Sequence, residues 1–65
     1  MFLIVNGEAR QTEARRIDAL LAEMDFADAK LAIAVNRGVV PRARWAEVEL
    51  RDGDAIEIIS PRQGG

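Results

Sequence analysis

No cysteine occurs anywhere in the 65 residues, and that absence constrains the fold more than any residue present. A chain this short buries only about 60% of the surface its unfolded form exposes. Without disulfides or thiolate metal sites to staple it, it must gather one hydrophobic core from a few well-patterned elements, so a single domain is expected. Apolar residues make up 49% and charged residues 31%, the balance of a folded chain rather than a disordered one. Because secreted domains of this size usually depend on disulfides, the expected compartment is the cytoplasm.

Further absences narrow the function. There is no His and no Tyr, so the usual acid–base side chain near neutral pH is missing along with the thiol nucleophile. Thr12 and Ser60 have no base beside them in sequence, and paired carboxylates need a cleft that so small a domain hardly forms. No catalytic residue, no metal site and no self-contained enzyme are expected. The net charge is −2 with the arginines scattered, whereas a nucleic-acid binder concentrates positive charge on one face. The apolar opening Met1–Val5 stops at Asn6-Gly7-Glu8, too early for a signal peptide. No stretch reaches the length of a membrane span.

Periodicity gives the elements. Phe2-Leu3-Ile4-Val5 is β-prone and ends at Asn6-Gly7, a dipeptide that takes the positive φ angles of a type I′ hairpin turn. The return strand, about Glu8 to Thr12, is polar and suits an edge, with Glu8 and Arg10 opposing edge-to-edge pairing. Ile17, Leu20, Leu21 and Met24 fall at helical spacing on one face, with Asp18 and Glu23 turned toward water. Two starts fit this helix: a distant Thr12 N-cap, or a start near Arg15 with no capping side chain. Leu31–Val35 alternates large and small apolar residues as a strand does, and Asn36-Arg37-Gly38 turns into a short strand at Val39-Val40. Pro41 ends that strand, since it lacks an amide donor. Arg42–Glu47 forms one irregular helical turn around Trp45, Val48–Leu50 a short extended piece, Asp52-Gly53-Asp54 a turn, and Ala55–Ile59 the last strand. The expected architecture is α+β: a small mixed sheet with one main helix packed on one face.

A sheet covered on one side leaves the other in water. With Leu3, Val5, Ile56 and Ile58 inward, Phe2, Ile4 and Ile59 point outward, and apolar residues grouped on a sheet face make a candidate docking surface. Trp45 reads as a plug beneath its loop and Arg42 and Arg44 as a solvated loop. The Asp52–Asp54 spacing is far too short for a calcium loop. Residues 1–59 form the domain. Ser60-Pro61-Arg62-Gln63-Gly64-Gly65 has no apolar periodicity and forms a flexible tail ending in the two most permissive residues. Arg62, beside that end, fits a solvated position and an acidic partner surface about equally.

With this layout the chain resembles the ubiquitin-like β-grasp sulfur carriers and, among them, the thiamine-biosynthesis carriers of the ThiS type. The resemblance spans the whole chain. It is carried by the Asn6-Gly7 turn, Leu20-Leu21, the stretch Ala34–Arg42 with Pro41-Arg42-x-x-Trp45, the Asp52-Gly53-Asp54 turn and the terminal Gly64-Gly65. Two departures are visible. Arg15-Arg16 stands where many relatives have Thr or Ser, and Pro61-Arg62-Gln63 is polar where several have small apolar residues. The molybdopterin-type carriers and the ubiquitin-like modifiers end the same way and form the alternative reading.

The resemblance implies a function carried by one carboxylate. An E1-like adenylyltransferase of the ThiF type, using ATP and magnesium, adenylates Gly65. Sulfur from a cysteine desulfurase or another donor then converts it to a thiocarboxylate. A thiazole synthase of the ThiG type takes that sulfur during thiazole formation. On this view the chain binds no cofactor itself, and the tail residues Gly64, Gln63 and Arg62 enter the partner's active site, where two glycines remove the Cβ atoms beside the reacting carbonyl.

Overall fold

The computed structural model describes residues 1–26 and 30–60. Strand β1 (Phe2–Val5) turns at Asn6-Gly7 into β2 (Glu8–Gln11), and helix α1 (Ile17–Glu23) follows. Strand β3 (Ala32–Val35) turns into β4 (Gly38–Val40), a short 3-10 helix covers Arg42–Arg44, and β5 (Ala55–Ile59) closes the fold. The sheet order is β2-β1-β5-β3-β4. β1 and β5 run parallel in the register Ile4↔Ala55 and Val5↔Ile56, and the other neighbours are antiparallel. The last strand in sequence is therefore the middle strand of the sheet.

Both hairpins turn where the sequence places them, though in the second the positive φ falls on Arg37 and not on Gly38. Asn6 and Gly7 have φ of 51° and 86°, and Asn36 and Arg37 have φ of 50° and 74°, the two successive positive values of a type I′ turn. The inward residues Leu3, Val5, Ile33, Ile56 and Ile58 meet Ile17, Leu20 and Leu21 of α1 in one core, closed at the side by Ala14, Trp45 and Leu50. Leu3, Ile17 and Leu20 are completely buried. Trp45 is the expected plug: its ring is buried and its Nε1–H donates to the Val40 carbonyl at 2.9 Å. Arg42 lies over that ring at 5.3 Å, and Arg44 pairs with Glu47 in solvent.

Several local expectations are corrected. The helix starts at Ile17 after an extended Arg16 with no capping side chain, so Thr12 is not its N-cap. Thr12 is buried instead, with its hydroxyl accepting from Ala14 N–H at 2.9 Å and donating to the Glu23 carboxylate at 2.6 Å. Glu23 accordingly does not simply face water: it reaches back to the end of β2, where Arg10 and the Glu13 amide also contact it. The hydroxyl bond, with help from these two groups, holds its carboxyl below the usual carboxylate range. The return strand stops at Gln11, and Leu31 lies outside β3. Val48–Leu50 supplies only a single bridge, Glu49 to Arg16, together with Leu50 N–H to the Arg15 carbonyl at 2.9 Å. The Asp52–Asp54 segment is a turn, and its carboxylates are occupied. Asp52 accepts from Phe2 N–H at 2.7 Å, and Asp54 accepts from Arg51 N–H at 2.9 Å.

Candidate functional site

The outer sheet face is set by strand alternation. Register places Phe2 and Ile4 of β1, Ala55, Glu57 and Ile59 of β5, Ala32 and Ala34 of β3, and Val39 of β4 on the side away from α1. Phe2 and Ile4 are half-buried by their neighbours, while Ile59 is 54% and Val39 78% exposed. The alanines give the face a low floor, and Glu57 is the charge near its centre.

Phe2, Ile4 and Ile59 thus share a face, but the structure does not bring them into one cluster. Ile4 pairs with Ala55, whereas Ile59 pairs with Ala32, four residues further along β5 and about 13 Å away at the strand rise. The neighbour of Ile59 on this side is Ala32, whereas Val39 lies across Ala34 from Glu57, one outward row away. Val39 is the most exposed large apolar residue described, and sequence reasoning did not single it out. The available signal was alternation: once Val40 pairs with the inward Ile33, Val39 must face out.

β5 delivers the chain to Ser60, the last residue described. The expectations for Arg62, Gln63, Gly64 and Gly65, and the division into a domain and a tail, fall on residues outside the described set. Among the described residues no group of three or more His, Cys, Asp or Glu is placed to hold a metal ion. No helix among them is long and apolar enough to cross a membrane. The hollow between α1 and the Trp45 loop, lined by Asp18, Leu21, Arg42 and Trp45, is shallow and holds one carboxylate.

Two asparagines complete the geometry. Asn36 Oδ1 accepts from Ala55 N–H at 3.0 Å, at the start of β5, and its Nδ2 donates to Asp54. Asn6 Oδ1 accepts from Ile58 N–H at 2.9 Å and its Nδ2 donates to the Ile58 carbonyl at 3.4 Å, near the strand's end. Each hairpin turn therefore grips the central strand with the carboxamide of its first positive-φ residue. Sequence reasoning assigned these residues to turns alone, because their partners lie far away in the chain.

A mixed five-stranded sheet crossed by one helix, with its last strand running through the middle to an exposed end, defines a ubiquitin-like β-grasp domain of the small carrier class. The sequence pattern of the ThiS family matches residues 3–65. The chain is 35% identical to the sulfur carrier protein ThiS of Escherichia coli K12 over the full length of both. It is 38% identical to a thiazole synthase of Paramagnetospirillum magneticum, of whose length it spans only 20%. The crystal structure of the thiamine biosynthesis protein ThiS from Geobacter metallireducens superposes with a TM-score of 0.85 at 28% identity, over the whole of both chains. The chain belongs to the ThiS family: it is a sulfur carrier protein of thiamine biosynthesis and not an enzyme.

Proposed function

We propose that the working group is the Gly65 carboxylate, which is adenylated and then converted to a thiocarboxylate in the cytoplasm. The observation that carries this reading is that the family match runs from residue 3 through the final glycines, Gly64 and Gly65. An E1-like adenylyltransferase uses ATP and magnesium. A carboxylate oxygen attacks the α-phosphorus and pyrophosphate leaves, which turns an unreactive carboxylate into an acyl adenylate. A persulfide sulfur from a cysteine desulfurase or equivalent donor then attacks the acyl carbon and AMP leaves. Cleavage of the resulting S–S bond by a second thiol releases the thiocarboxylate. Thiazole synthase is the acceptor. Two thiazole synthases contain a stretch similar to this entire chain, which supports carrier and synthase acting in one reaction sequence.

Arg62, Gln63 and Gly64 lead Gly65 into the partner's active site. The ordering cost of such a tail falls on binding, and the outer face carrying Phe2, Ile4 and Ile59 offsets it by docking. Intact mass spectrometry tests the reading. After incubation with the adenylyltransferase, ATP, magnesium and a sulfur donor, the chain gains the mass difference between sulfur and oxygen. Deleting Gly65 abolishes that gain and leaves the thermal melt unchanged. A full-length chain that stays unmodified beside a control carrier that loads overturns the proposal.

A further inference from the structure

We infer that Asn6 is a positioning residue for the C-terminal tail, fixing the point at which the chain leaves the sheet. This rests on the reading that Gly65 is the loaded group. β1 supports β5 by backbone bonds only as far as Ile56: Ile4 N–H donates to the Asp54 carbonyl and Asn6 N–H to the Ile56 carbonyl, both at 2.9 Å. There β1 turns away, while β5 runs on to Ile59. On the β3 side, pairing continues to Ala32↔Ile59. On the β1 side, the next rung is made by one side chain, with Asn6 Oδ1 receiving Ile58 N–H and Nδ2 reaching the Ile58 carbonyl. The carboxamide stands in for the peptide group that β1 no longer provides.

This rung lies two residues before Ser60. From Ile58 to Gly65 the chain reaches at most about 25 Å, so the anchor sets where the carboxylate can arrive once the sheet face is docked. If β5 frays back to Ile56, the tether lengthens and the local concentration of the carboxylate in the partner's site falls. Orientation at the reacting carbon is lost as well. Docking itself, made by other residues, is untouched.

Asn6→Gly separates this role from the turn, because glycine keeps the positive φ and removes only the carboxamide. Amide exchange at Ile58 in the variant accelerates about tenfold, while Leu3 and Ile33 keep their protection. In steady-state loading by the adenylyltransferase with ATP, magnesium and a persulfide donor, kcat falls about fivefold with KM for the carrier unchanged. Asn6→Asp, which retains the acceptor for Ile58 N–H and tolerates the turn, recovers part of that loss. Wild-type kcat in Asn6→Gly, or a rise in KM alone, overturns the inference. If the wild-type chain itself fails to load, the carrier reading falls instead. Unchanged exchange at Ile58 would then dispose of the clamp separately.

Discussion

Replacing Ile4 with aspartate tests the outer face as a docking surface, and the adjacent Leu3→Asp supplies its internal contrast. The two positions are neighbours on β1 and point to opposite sides. Leu3 is completely buried beneath α1 and Ile4 is half-buried on the open face. Full burial of such a side chain contributes about 1.5–3 kcal/mol, so Ile4→Asp forfeits about 1 kcal/mol. A domain of this size has a total stability of about 3–10 kcal/mol, and a loss of 1 kcal/mol lowers its Tm by about 4–8 °C. Leu3→Asp loses about 2–5 kcal/mol in packing alone, and it also strands a carboxylate in the core without a partner. That variant should show no cooperative melt. Binding inverts the order of interest. An apolar residue buried on docking is worth about 2 kcal/mol, or about 30-fold in Kd. Circular-dichroism melts read the first quantity, and titration calorimetry against the adenylyltransferase and the thiazole synthase reads the second. A folded Ile4→Asp that binds both partners within twofold of wild type refutes the docking assignment, and an unfolded one refutes the facing.

Two further outcomes probe the frame that supports this face. Thr12→Val keeps the shape but leaves the Ala14 amide without its acceptor and Glu23 without its closest partner, at a cost of about 1–3 kcal/mol in denaturant melts at pH 7. Because the folded-state pKa of Glu23 is lowered, its contribution is fully present above the ordinary carboxylate range and disappears as pH falls through that lowered value. The gap between wild type and Thr12→Val should therefore narrow in acid, and a gap that widens would contradict the assignment. Arg37→Gly relieves a positive φ of 74°. Net of the extra freedom glycine gives the unfolded chain, Tm should rise by about 3 °C, and a fall would show that the Arg37 side chain itself supports the turn.

The elements of this protein were legible in its sequence because each rests on local chemistry. Asn6-Gly7 and Asn36-Arg37-Gly38 sit where only positive-φ turns fit. Ile17, Leu20 and Leu21 share a face by helical geometry, and Pro41 stops its strand by lacking an amide hydrogen. Alternation gave the inward and outward residues of β1 and β5 for the same reason. The family resemblance was legible too, through the Pro41-Arg42-x-x-Trp45 segment and the terminal glycines. Registry between distant strands was not. A strand's alternation fixes which residues share a face but not how far apart they lie on it, so Phe2 and Ile4 could be assigned with Ile59 without revealing that Ile59 lies four residues, about 13 Å of strand rise, beyond the Ala55 that pairs with Ile4. Long-range side-chain bonds were equally hidden. Thr12 meets Glu23, Asn36 meets Ala55, and Asn6 meets Ile58 across 52 residues of chain. A hydrogen bond needs angstrom proximity, which only the folded sheet provides. The sequence alone determined the turns, the core-facing residues and the family. Tertiary structure decided that the last strand is the central one, and that a turn asparagine holds it at Ile58, near its end.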